Sequence, residues 1–253
     1  MRELGTVMVP FHSVAVAYSG GVDSTLLVHL LDRVLGLKVR ACLARTPFLH
    51  DRELRAALSL AEHLGFALTV VDVDLWARPQ VQANPWNRCY HCKKAIVQTL
   101  RKSVEPVDAF LDGSHVGDLQ EDRPGRKALK ELGVISPLAQ AGWTKADIRE
   151  TARRLGLPNW AKPSQSCLAT RVPHGTPLRP QILKRVERAE ERLWELGCHQ
   201  VRVRWDRGAA RIQASAEDMP LLAQDQVRSQ LLDEFTGWGF EGVVFDPVPY
   251  GRG

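Results

Sequence analysis

The chain has 253 residues, 44% of them hydrophobic and 25% charged, a size that holds one large domain or one medium and one small. Its five cysteines are few and odd in number, no leader-like segment opens it and no apolar run is long enough to cross a bilayer. Those features exclude a disulfide-stapled scaffold and a membrane span, and point to a reduced cytoplasmic protein. The formal charge of +5 suits anionic ligands, but the basic residues are scattered, which an ordinary solvated surface explains as well as a nucleic-acid face.

In chain order, the spacing predicts a buried strand at Val14–Tyr18, a helix at Ser24–Leu35 and a strand at Lys38–Ala44. A helix over Asp51–Leu64 follows, with Asp51 near its N-cap, then a strand at Ala67–Val73, a helix at Cys92–Ser103 and a short strand at Ala109–Gly113. Thr144–Leu155 reads as a helix capped by Thr144 with Asp147 three residues on. Apolar runs alternating with helical patterns imply an α/β domain built on a parallel sheet. Pro173, Gly175, Pro177 and Pro180 break the pattern, which predicts a first domain over 1–175 and a small α+β domain over 176–253. In the latter the expected order is a helix (Gln181–Leu196), strands at Gln200–Arg204 and Ala209–Ala214 about a turn at Asp206–Gly208, a helix (Ala216–Leu232) and a strand (Gly242–Phe245).

The first strand runs into Ser19-Gly20-Gly21-Val22-Asp23-Ser24. Two glycines able to take positive φ, followed by a helix N-terminus with unpaired N–H groups, make a cradle for pyrophosphate. No lysine follows the glycines as in a Walker loop. The segment resembles the signature of the PP-loop ATP pyrophosphatases, which split ATP between its α and β phosphates and adenylate a carboxylate or carbonyl oxygen. That resemblance implies ATP binding by Ser19, Gly20, Gly21, Asp23 and Ser24, with Asp23 holding Mg²⁺. A tight turn in which glycine serves geometry alone is the plainer reading.

A second block, Leu157 to Arg171, puts Cys167 in a loop flanked by hydroxyls and by Lys162 and Arg171. A thiolate is the reactive form, and nearby cations lower a thiol pKa; a small buried apolar residue is the alternative. Taken with Asn84-Pro-Trp-Asn-Arg-Cys-Tyr-His-Cys-Lys-Lys, Asp112-Gly-Ser, Asp122-Arg-Pro-Gly and Gly133-Val-Ile-Ser-Pro-Leu, the block is similar to the LarE family of ATP-dependent sacrificial sulfur transferases, over nearly the full chain.

The resemblance implies a definite chemistry. A carboxylate of pyridinium-3,5-biscarboxylate mononucleotide is adenylated, Cys167 attacks the acyl adenylate, and cleavage of its Cβ–S bond leaves a thiocarboxylate on the substrate and dehydroalanine in the protein. A substrate site of Arg202, Arg204, Glu190, Arg171 and Trp86 is implied as well, together with a homo-oligomer and a place in nickel-pincer nucleotide biosynthesis. From the residues alone, Arg202 and Arg204 alternate on one strand and so share a face, where they could hold a phosphate or stand in solvent. Trp86 reads equally as a ring-stacking side chain or as core filler.

Some positions depart from the family pattern. Thr170 stands for a serine, His115 and Gly117 for an asparagine and an acid, and Gln213 for a glutamate. Cys89 and Cys92 give one Cys-x-x-Cys pair without the second pair a structural zinc needs, which favours a redox-active or idle pair; a cluster with Cys167 stays open. Cys42 and Cys198 read as core thiols. A tRNA 2-thiouridylase is the rival enzyme, but no aromatic-interleaved basic stripe for RNA follows Gly175. A non-catalytic nucleotide-binding subunit is the rival outside enzymes; with Ser19, Asp23 and Cys167 intact, the enzyme reading is preferred and no nucleic-acid or membrane partner is expected.

Overall fold

A computed structural model of the protein describes residues 2–104, 106–119 and 124–250; Asp122 and Arg123 of the quoted motif lie outside them. The chain divides into two compact units, Met1–Val81 with Trp86–Gln165, and Gln82–Pro85 with Ser166–Gly253.

The first unit is built on four parallel strands, β1 (Ser13–Ala17), β2 (Lys38–Arg45), β3 (Leu68–Asp72) and β4 (Ala109–Leu111), in the order β3-β2-β1-β4. Its helices are α1 (Arg2–Met8), α2 (Val22–His29), α3 (Asp51–Leu64), α4 (Pro79–Gln82, which ends on the first residue of the second unit), α5 (Arg88–Val104), α6 (Val116–Leu119), α7 (Pro124–Glu131), α8 (Pro137–Gln140) and α9 (Lys145–Arg154). Alternation along β1 sends Val14 and Val16 into a core with Leu26, Leu27, Leu30 and Leu43, and Ala15 into a second core with Cys42, Val97, Leu100 and Phe110. Both faces are therefore covered, the arrangement that near-continuous apolar strands demand. The chain winds from β1 outward to β3 and then returns to the other side of β1, so the strand order reverses between β1 and β4. Crevices for ligands form at such a switch point, at the carboxyl ends of the strands.

The details depart from the predicted boundaries in instructive ways. The helix expected over Ser24–Leu35 starts at Val22 and ends as a π-helical turn, Leu30–Val34, closed by Leu35 N–H on Leu30 O at 2.9 Å. The widened turn keeps Leu30 and Leu31 buried while the chain leaves through Gly36 at φ +68°. On α3 the cap is His50 rather than Asp51, its Nδ1 accepting from Arg52 N–H. The capping box at Thr144 and Asp147 is present as predicted. Helices α1, α6, α7 and α8, each of eight residues or fewer, have no counterpart among the predicted elements.

The second unit holds α10 (Pro180–Glu195), β5 (Val201–Asp206), β6 (Ala209–Ala214), α11 (Met219–Leu222), α12 (Asp225–Gly237) and β7 (Val243–Phe245). Its three strands lie in the order β5-β6-β7, the first pair antiparallel and the second parallel. The hairpin turns on Arg207 and Gly208, both at positive φ (50° and 99°), as a two-residue turn matched to strand twist requires. The unit begins at Ser166 rather than after the proline-rich break at 173–180. That break is no linker: the Asn84 amide, fully buried, donates to Pro173 O and Thr176 O at 2.9 Å each, within the same unit.

Candidate functional site

In the first unit, Ser19–Ser24 leaves the end of β1 and enters α2 at the switch point. Gly20 sits at φ +72°, and a Cβ there would come within 2.6 Å of Ala57 Cβ, so only glycine fits. Gly21 corrects the sequence reading: it has φ −76° and is the N-cap of α2, so the turn uses one left-handed glycine and not two. Ser24 Oγ accepts from Ser19 N–H and donates to Gly21 O, both at 3.2 Å, closing the loop on itself. Thr25 Oγ1 donates to Gly21 O at 2.9 Å. From outside, Asn159 Nδ2 donates to Gly20 O at 3.1 Å and to Thr25 Oγ1 at 3.0 Å.

The loop after β4 meets the same helix end. A Cβ on Gly113 would lie 2.9 Å from Ser24 N, so the glycine of Asp112-Gly113-Ser114 keeps the first turn of α2 uncovered. The leading N–H groups of a helix have no partner within it and carry the positive end of its dipole. Asp112 is nearly buried and accepts from Ser114 Oγ and Ser136 Oγ at 2.7 Å each, and so fixes this loop. Of the departures from the family pattern, His115 donates its N–H to Asp118 Oδ2 at 3.0 Å, and Gly117 N–H donates to His115 Nδ1 at 3.1 Å. The glycine positions, the bare helix end and the acidic Asp23 in its first turn fit a polyphosphate and its divalent cation. Asn159 Oδ1 is buried beside the loop with no hydrogen-bond partner among the described residues, an acceptor available to a ligand or a water. Asp23 itself is held by Lys145, whose Nζ lies 2.7 and 2.6 Å from the two carboxylate oxygens.

In the second unit, Cys167 is exposed, which removes the reading of it as a core residue. Its loop is held by Arg171. Nη1 of that side chain donates to Ser166 O at 3.0 Å, Ser166 Oγ at 2.6 Å and Thr170 Oγ1 at 3.0 Å. Its Nε and Nη2 grip Glu190 of α10 at 2.7 and 3.1 Å. Glu190, which the resemblance implies in the substrate site, is fully buried, and its Oε1 also accepts from Val203 N–H at 2.9 Å. Arg171 is likewise engaged on three sides and almost fully buried. Lys162, read as a cation flanking the thiol, lies in the first unit and is paired within it with Glu53 at 2.7 Å.

Arg202 and Arg204 share the outward face of β5, as their alternation requires. Arg204 Nη1 donates to Thr170 O at 3.0 Å, tying that face to the cysteine loop, and its Nε donates to Gln213. Gln213 passes the connection on to Asp246 Oδ2 at 3.1 Å, so an amide stands where a carboxylate was expected and the acid lies one residue further out. The Arg202 guanidinium lies 4.3 Å from the centre of the Tyr250 ring. Burial holds Arg202 below the ordinary arginine range; Tyr250 opposes this, while Arg171 and Arg204 add to it. Three guanidiniums close enough to push on one another beside an exposed thiol suit an anionic ligand.

Trp86 lies in the first unit and is 74% exposed, which excludes core filler. Cys89 and Cys92 lie in the first turns of α5, and among the described residues no group of three or more His, Cys, Asp or Glu is arranged to hold a metal ion. Burial pushes the thiol of Cys42 up to about 12 and that of Cys198 up to about 11, where they stay protonated. No helix among the described residues is long and apolar enough to cross a membrane. Sequence reasoning missed Lys145, which is 122 positions from Asp23. It also missed the anchoring role of Asn159, whose signal was its place in the Leu-Pro-Asn-Trp stretch of the second motif block.

The fold and these loops define a doubly wound α/β protein with an anion-receptive glycine turn at its switch point and a thiol loop in its second unit. No model of a protein family matches the chain. Individual relatives do. A Lactiplantibacillus plantarum protein named pyridinium-3,5-bisthiocarboxylic acid mononucleotide synthase is 36% identical over 239 residues, 92% of this chain and 85% of the relative. Uncharacterised proteins of Synechocystis and Methanocaldococcus jannaschii are 40% and 31% identical, over 94% and 92% of this chain and 90% and 88% of their own lengths. The chain belongs to the family of that synthase, the LarE family.

Proposed function

We propose that this chain is an ATP-dependent sulfur transferase that adenylates a carboxylate of pyridinium-3,5-biscarboxylate mononucleotide and replaces its oxygen with sulfur from Cys167. The glycine turn and the first turn of α2 hold the β and γ phosphates, and Asp23 holds Mg²⁺, which neutralises charge on the leaving pyrophosphate. Arg202 and Arg204 bind the mononucleotide phosphate, and Trp86 offers a ring face to the nucleotide or the pyridinium. Arg171, fixed by Glu190, holds the loop from which the Cys167 thiolate attacks the activated acyl carbon and displaces AMP. Loss of the Cα proton of Cys167 and cleavage of its Cβ–S bond then release the thiocarboxylate and leave dehydroalanine. The family resemblance supports a cytoplasmic homo-oligomer consumed in nickel-pincer nucleotide biosynthesis.

The observation that carries this reading is the contrast among the thiols. Cys42 and Cys198 are buried and held protonated, and Cys89 and Cys92 lie on the helix α5, whereas Cys167 is exposed on a loop fastened by a buried arginine. Intact mass and peptide mapping after incubation with Mg·ATP and the mononucleotide test it. A loss of about 34 Da, one H₂S, at Cys167 is expected; thiolated product with an unchanged protein mass would refute the sacrificial route. Cys167→Ala should still release pyrophosphate and transfer no sulfur.

A further inference from the structure

The carboxylate expected to hold Mg²⁺ already carries a cation. Lys145 Nζ contacts both oxygens of Asp23 at 2.7 and 2.6 Å, in a pair whose side chains are each 27% exposed. A divalent ion on Asp23 would sit within a few ångströms of that ammonium, and two such charges repel unless an anion comes between them. The anion cradle is adjacent: Asp23 belongs to the first turn of α2, whose N–H groups face the glycine loop. The Lys145 backbone is fixed, because it is the first residue of α9 and lies inside the Thr144–Asp147 capping box. Its four-carbon side chain is flexible, so the ammonium can move while the backbone stays.

We propose that Lys145 is an exchanging counter-ion of this site. In the ligand-free protein it neutralises Asp23; when Mg²⁺ and a polyphosphate enter, Mg²⁺ takes the carboxylate and the Lys145 ammonium moves to a phosphate oxygen, which it holds as pyrophosphate departs. No covalent bond forms or breaks and no proton is transferred. The pairing links release of the lysine to arrival of the metal. The inference rests on the reading of the glycine turn as a nucleotide site.

The opposite effects expected of one substitution separate this role from a simple tether between α2 and α9. Titration calorimetry with Mg²⁺ alone and with inorganic pyrophosphate plus Mg²⁺ is the experiment, on the full chain. Lys145→Met should weaken Mg·pyrophosphate by about tenfold or more, the order expected for one lost charge-assisted hydrogen bond, while Mg²⁺ alone binds more tightly because its competitor is gone. Lys145→Arg should restore most of the pyrophosphate affinity. Lys145→Gln should behave as Lys145→Met does and replaces it if that variant does not fold. Pyrophosphate affinity unchanged in Lys145→Met or Lys145→Gln, or Mg²⁺ bound no more tightly, overturns the inference alone. Failure of the unsubstituted chain to bind Mg·pyrophosphate overturns the nucleotide reading and the inference with it.

Discussion

Arg171 and Glu190 form a closed fork, two parallel hydrogen bonds of 2.7 and 3.1 Å between side chains that are 3% and 0% exposed. The fork leaves Nη1 of the arginine to hold the Cys167 loop through Ser166, so a fully buried carboxylate fixes the side chain that fastens that loop.

Removing that carboxylate should therefore damage folding and chemistry together. Glu190→Ala strands a buried guanidinium and should cost about 3–5 kcal/mol of stability. Glu190→Gln, which keeps an acceptor, should cost less and give a folded protein whose sulfur transfer falls well below its pyrophosphate release. Denaturant unfolding and the ratio of the two products measure both effects; parallel loss of the two products in Glu190→Gln would assign Glu190 a different role.

Gly20 tests the phosphate loop by geometry. An added methyl meets both a left-handed backbone and the Ala57 side chain at 2.6 Å. Gly20→Ala should cost about 1–3 kcal/mol from backbone strain together with overpacking, and weaken ATP binding. Adding Ala57→Gly removes the clash but not the strain, so it should recover part of the loss; full recovery would mean that the positive φ is unimportant.

Arg202 should report on the substrate and not on ATP. Arg202→Ala is expected to raise KM for the mononucleotide by about 10-fold or more, the scale of a lost charge-assisted contact, with KM for ATP within about twofold of its original value. Equal changes in both constants would remove Arg202 from the phosphate site.

Asp218 governs an acid-sensitive part of the second unit. Burial alone would raise its pKa, but the N–H groups of Gln200 and His199 at 2.8 and 2.9 Å and the Ser215 hydroxyl outweigh burial and hold it below the ordinary aspartate range. A depressed folded pKa gives stability that is present above the unfolded value of about 3.9 and lost as pH falls through the folded one. The stability lead of the unsubstituted chain over Asp218→Asn should thus be constant near neutral pH and shrink below about pH 4. Unfolding curves at several pH values check this, and a lead that persists undiminished in acid would contradict it.

Much of the fold was legible because its signals are local. Apolar runs marked β1 and β2, Thr144 and Asp147 announced α9, and the glycine pair announced the turn from β1 into α2. What escaped depends on partners distant in sequence. His50 displaces Asp51 as the cap because its ring reaches Arg52 N–H, a choice that spacing does not encode. Lys145 reads as an ordinary helical lysine until the fold brings α9 onto α2. Glu190 carried the signature of a family position, but only the fold shows that it is fully buried against Arg171. Gly21 and Gly20 look alike in sequence, and the backbone distinguishes them.

Residues Gln82–Pro85 belong to the second unit although they are made long before it. Asn84 precedes its acceptor Val172 by 88 positions, so during synthesis it must wait for the rest of its own core to leave the ribosome. At about 5–20 residues per second that delay is several seconds or more. No single cut frees either unit whole: a fragment that starts at Ser166 lacks the buried amide beneath its proline-rich turn, and one that stops at Gln165 carries that amide without its acceptors Val172, Pro173 and Thr176. Expressing the two halves separately is therefore not a neutral dissection of this protein.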